Sequence, residues 1–182
     1  MTKRRYTHML VSGIFAALAV SPAVAQTTGN GPYYATPSWD QTLPSNTRFI
    51  VLSNFGGQAV LDRETGLVWE KSPSAAVGFT WDNAVFHCNN LSLGNRNGWK
   101  LPSIQELTSL MDESVTPTLP TGHPFTVQVS SIYWASTTKA GTDGAAAWLV
   151  FFGNGAINYA LKSSTNPFSV WCVRGGSGLD AQ

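Results

Sequence analysis

Histidine and cysteine are scarce in this chain, and charge is thin. His8, His87 and His123, with Cys88 and Cys172, are its whole supply of nitrogen and sulfur ligands. Two cysteines without clustered histidines make a poor zinc set. His87 is the neighbour of Cys88, but adjacent residues on a helix do not face each other, so the pair is no nucleophile with its base. His123, between Gly122 and Pro124, has a loop setting. Asp82, Asp112, Glu113 and Asp143 are scattered rather than alternating, which gives calcium no frame. These shortages leave catalysis without a constellation. The expectation is a non-enzyme with no cofactor and no metal.

Long apolar runs are also missing. The longest, residues 9–20, is broken only at Ser12 and would reach about 18 Å as a helix against a bilayer core of about 30 Å. Lys3, Arg4 and Arg5 precede it and Ala23-Val24-Ala25 follows, the layout of a secretory signal peptide cut after Ala25. An exported protein, periplasmic or extracellular and without stable membrane insertion, is therefore expected. The formal charge is +1, and removal of those three basic residues leaves 8 basic against 10 acidic, or −2. No basic face is available for nucleic acid.

In an oxidising compartment Cys88 and Cys172 most simply pair, closing a loop that the chain-entropy relation values at roughly 4.5 kcal/mol before strain is subtracted. Residues 26–47 hold Gly29-Asn30-Gly31-Pro32, Pro37 and Pro44 with few aliphatics, and read as a leader or linker. Apolar periodicity then lasts to Val173. The expected organisation is a signal peptide over 1–25, a leader over 26–47, one domain over 48–176 and a tail over 177–182.

Two helices are expected. Thr80 caps one whose stripe is Trp81, Ala84, Val85, Cys88 and Leu91, ended by the Asn and Gly residues after Leu93. Ser103 and Glu106 form a capping box ahead of Ile104, Leu107, Leu110 and Met111. Strands are expected at 60–62 and 67–70 around a turn, and then at 132–137, 147–152, 156–162 and 168–174. Strands, two helices and more strands predict an α+β fold: two short helices on a twisted antiparallel sheet with one disulfide. Asn154-Gly155 signals a two-residue hairpin turn. Its pairing would set Phe152 opposite Ile157, Val150 opposite Tyr159 and Trp148 opposite Leu161 as the core face. Phe151, Leu149 and Ala147 would face Asn158, Ala160 and Lys162 on the other. Cys172 must point to its helix partner, so Trp171 points away.

The stretches LDRETGLVWEK, TWDNAVFHCNNLSLGNRNGWKLPSIQEL, YWASTT, AWLVFFGNGAINY and WCVRGG, in that order over about residues 58–176, resemble a bacterial domain family. It is the domain of unknown function at the C-terminus of a Legionella collagen-like adhesin. The resemblance implies a C-type-lectin-like fold near the formylglycine-generating enzymes, and a disulfide from the first helix to the last strand. It also implies attachment at surfaces, with sulfated glycosaminoglycans as the associated ligands. The copper-dependent cysteine chemistry of the formylglycine-generating enzymes is not implied, because both cysteines stand at the bridge positions. Where relatives carry a basic residue before the last cysteine this chain has Trp171, and Phe151 stands near a commonly polar position.

Trp69, Trp81, Trp99 and Trp148 fit the core by periodicity. Trp171, grouped with Leu149, Phe151, Asn158 and Lys162, would make an outward surface of aromatic, apolar and hydrogen-bonding groups suited to a ligand. A second reading has the leader, with Tyr33, Tyr34 and Trp39, covering that face. The functional expectation is a secreted, non-catalytic, adhesin-like module binding a glycan or surface ligand; the alternative is an assembly subunit of an envelope or surface structure.

Overall fold

The computed structural model describes residues 28–29, 43–73, 78–166 and 168–175. The signal peptide, leader residues Tyr33, Tyr34 and Trp39, and the tail at 177–182 lie outside the described residues. The fold is α+β, with two sheets where a single sheet was expected. One sheet has the order β1-β2-β3-β4-β9-β5, and the other is β6-β7-β8.

The larger sheet is built on a meander. β2 (Phe49–Leu52), β3 (Ala59–Asp62) and β4 (Leu67–Glu70) pair antiparallel in sequence, which confirms the expected early hairpin. β1 (Thr28–Gly29) adds in parallel to β2, so the segment read as leader supplies an edge strand. α1 (Ser45–Arg48) leads into β2. Arg48, only 2% exposed, grips Asp62 through Nε and Nη2, both at 2.8 Å, and also donates to the Ser109 carbonyl at 2.6 Å. Asp62 in turn accepts from Glu64 N–H and the Thr65 hydroxyl, so a buried ion pair sets the β3–β4 turn.

α2 (Trp81–Asn90) starts at Thr80, whose hydroxyl accepts from Asn83 N–H; such a cap contributes about 1 kcal/mol. It turns Ala84 and Cys88 inward. The helix ends at Asn90 rather than beyond Leu93, because Leu91 is already extended. β5 (Trp99–Lys100) follows, and then α3 (Ile104–Thr108) with the expected capping box complete: Ser103 accepts from Glu106 N–H and Glu106 from Ser103 N–H. α3 packs on β6 (Ile132–Thr138) and β7 (Ala146–Phe151). β8 (Ala156–Leu161) pairs only with β7 among the described residues and is the open edge of its sheet.

The terminal segment is not the single strand expected over 168–174. Ser169 bridges Tyr133 in parallel, joining it to the smaller sheet, and only β9 (Val173–Arg174) enters the larger one, between β4 and β5. Crossing from one sheet to the other bends the chain out of one ladder. On this crossing Cys172 meets Cys88 of α2 in the expected disulfide, with Cα atoms 5.4 Å apart.

Two apolar cores result. Val60, Trp69, Val150, Trp171 and Val173 belong to one; Leu61, Val68, Leu149 and Cys172 belong to the other. Neighbouring residues on β3, β4, β7 and the terminal segment thus alternate between two interiors rather than between interior and solvent, and the strands are apolar on both faces.

Candidate functional site

The hairpin of β7 and β8 carries the most exposed sheet surface, and its turn sets the geometry. Val150 faces Ile157, Trp148 faces Tyr159 and Ala146 faces Leu161, two residues away from the expected register. Phe152 does not pair in the ladder. It is fully buried against Trp171, and its carbonyl accepts from both Thr118 N–H at 2.8 Å and the Thr118 hydroxyl at 2.9 Å. The turn therefore widens to Phe152-Gly153-Asn154-Gly155. Gly153 lies under the Phe151 ring, where an added Cβ would come within 2.4 Å of Cζ, and Gly155 takes φ +77°. A shift of two residues preserves strand parity, so each side chain keeps its expected face although its partner changes.

The face expected to be core is, on β8, open. Ile157 is 51% exposed, Tyr159 50% and Leu161 58%. Their counterparts on β7 lie under α3, whereas β8 is the rim strand. Tyr159 stands edge-on to half-buried Trp148 with ring centres 6.1 Å apart, and Lys139 Nζ sits 4.5 Å from its centroid. Lys162 Nζ lies 4.0 Å over the Trp81 ring and 2.9 Å from the Thr138 hydroxyl. The surface is thus a row of two aliphatic side chains and one phenol with a single cation, Lys139, over the phenol. Lys162, like Asn158, lies on the opposite face of the hairpin.

The five residues expected to share an outward face are divided. Trp171 is fully buried, its ring 5.0 Å from Phe125 and 5.5 Å from Trp69, and its Nε1–H donates to the Glu70 carbonyl at 2.8 Å. It does point away from the disulfide, but into the other core. Leu149 is 3% exposed in the disulfide-side core. Phe151 is half-buried over Gly153, Asn158 is exposed with its amide oxygen accepting from Tyr159 N–H, and Lys162 is half-buried. Ile157, Tyr159 and Leu161 are the exposed residues that sequence reasoning placed in the core. Their alternation looks the same for a core strand and for a rim strand, and only the sheet order separates the two.

Among the described residues no group of three His, Cys, Asp or Glu side chains could hold a metal ion. Burial lowers the pKa of both His87 and His123, which favours neutral imidazoles. Glu70 is the most perturbed carboxyl: burial pushes it up to about 7, opposed by a hydrogen bond from Cys172 N–H. It lies beside the disulfide and the Trp171 segment, inside the fold rather than in a cleft. No helix among the described residues is long and apolar enough to cross a membrane.

The sequence profile of the Lcl C-terminal domain matches residues 58–174, from the start of β3 to the end of β9. The chain belongs to the Lcl C-terminal domain family. The match includes most of both cores, the disulfide and the β7–β8 hairpin of this Lcl domain. It places the chain with adhesin-associated domains, not with a known enzyme family. The family and the disulfide together suggest an exported protein. No curated protein matches the chain.

Proposed function

We propose that this Lcl domain is an exported, non-catalytic recognition module that binds a glycan on a cell surface through the outward face of β8. The observation that carries the reading is the run of Ile157, Tyr159 and Leu161, each at least half exposed along one rim strand. Such surface is costly to leave in water and marks a contact site. A phenol edge-on to Trp148 offers a flat ring for the C–H face of a sugar, and Lys139 offers a donor to its hydroxyl or acidic groups. Of the residues first grouped as a ligand surface, Asn158 and Lys162 lie on the opposite face of the hairpin, and Phe151 stands near its turn. The family membership supports attachment as the role, and the tie from α2 to a terminal strand set inside the first sheet supports a C-type-lectin-like reading of the fold.

Binding of the full chain and of Tyr159→Ser to an array of neutral and sulfated glycans tests the proposal. Retention of a glycan class by wild type, with clear loss in a variant of unchanged melting temperature, is expected. Equal retention by the variant would remove β8 as the site.

A second reading, assembly with another subunit, draws on one further feature. β8 pairs on one side only, so alternate N–H and C=O groups along it face outward and could accept another strand. Light scattering separates the readings: a stable oligomer dispersed by Leu161→Ser would favour assembly over glycan contact.

A further inference from the structure

α2 buries Ala84 and Cys88 and leaves its opposite side toward solvent. On that side Asn83, Phe86, His87 and Asn90 recur at helical spacing, and with Phe79 and Leu91 they line a cavity of about 570 Å³. That volume lies within the usual range for small-ligand sites. Phe86 is 69% exposed, more than any other large apolar side chain among the described residues. Asn90 donates through its amide nitrogen to the Phe86 carbonyl at 2.7 Å, which leaves its amide oxygen to accept. His87 packs its ring 5.2 Å from Phe79, and its Nε2 is buried without a hydrogen-bond partner among the described residues.

The chemistry of the lining narrows the occupant. Among the described residues no charged side chain lines the cavity, and burial favours the neutral form of His87. An anionic ligand would find no counter-charge, and a cationic one no carboxylate. A purely apolar partner would strip water from Asn83 and Asn90 without replacing their hydrogen bonds. An uncharged ligand with an apolar face and a hydroxyl edge meets every group present.

We propose that this cavity binds one or two uncharged pyranose units, with Phe86 stacking on the C–H face and Asn83 and Asn90 meeting the hydroxyls. The site shares no residue with the β8 face and does not rest on it. Phe86 and Asn83 are exposed, so substituting them leaves the core intact.

Saturation-transfer NMR on the full chain tests the proposal with the methyl glycosides of glucose, galactose, mannose and N-acetylglucosamine at millimolar concentration. The expected result is transfer to at least one glycoside and an affinity at least about tenfold lower in Phe86→Ala. Asn83→Ala is a second variant on the hydroxyl side, and it is expected to weaken the same signal. Absence of transfer to all four with wild type would overturn the proposal, as would transfer that both α2 variants leave undiminished. Loss of the signal in Tyr159→Ser with both α2 variants undiminished would likewise overturn it, by moving the sugar to β8.

Discussion

The indole N–H of Trp171 donates to the backbone carbonyl of Glu70 at 2.8 Å, joining residues 101 apart in sequence. The bond is made inside a core where Trp171 also touches Trp69, Phe125, Tyr133 and Phe152. A side chain that strand alternation turns away from the disulfide therefore holds the terminal segment onto β4. Replacing it with alanine removes a large buried ring and leaves the Glu70 carbonyl without this partner. Trp171→Ala is expected to lower the stability of the domain by about 3–5 kcal/mol, read from urea denaturation. Ligand binding by any fraction that stays folded is expected to be unchanged.

The disulfide closes a loop across a sequence separation of 84 residues. The chain-entropy relation puts its contribution at about 4.5 kcal/mol. The double variant Cys88→Ala/Cys172→Ala is expected to unfold at a markedly lower urea concentration than wild type. Reductant is expected to shift the wild-type midpoint toward the variant's and to leave the variant unmoved.

Asp62 is wholly buried and holds Arg48 through two hydrogen bonds. Asp62→Ala strands that guanidinium without a counter-charge and frees the turn donors of Glu64 and Thr65. A loss of about 3–5 kcal/mol is expected, measured by denaturant titration. The paired change Arg48→Met/Asp62→Leu removes both charges and is expected to cost less than Asp62→Ala alone.

Glu70 gives the domain a pH dependence of known sign. Burial raises its pKa from 4.5 to about 7, so the folded state holds the proton more tightly than the unfolded chain. Its contribution is fully present below pH about 4.5 and is lost as pH rises through about 7. The loss amounts to about 3 kcal/mol at alkaline pH. Glu70→Gln keeps a carbonyl oxygen for Cys172 N–H and carries no charge. The variant is expected to show a smaller fall in melting temperature between pH 5 and pH 8 than wild type does.

Much of this architecture was legible in the residues. Thr80 and the Ser103–Glu106 pair marked their helix starts because capping depends only on local side-chain chemistry, and two cysteines in an exported chain left one pairing. The β7–β8 register was not legible. Asn154-Gly155 alone favours a two-residue turn, whereas the observed turn is fixed by the burial of Phe152 and the bonds from Thr118, 34 residues away. The expected outward grouping was divided for a related reason. Alternation tells which residues share a side of a strand, but not whether that side meets solvent or a second core. Trp171 and Leu149 met a core, while Ile157, Tyr159 and Leu161 met the open rim.

Binding curves for wild type and Tyr159→Ser/Leu161→Ser on a glycan-coated surface, taken beside their melting curves, bear most directly on the proposed role of β8. Both substitutions are at half-exposed positions, so superimposable melting is expected to within about 0.5 kcal/mol each. The account predicts an affinity lower by at least about thirtyfold, equivalent to about 1 kcal/mol for each lost contact. Equal affinity in the folded double variant would contradict it.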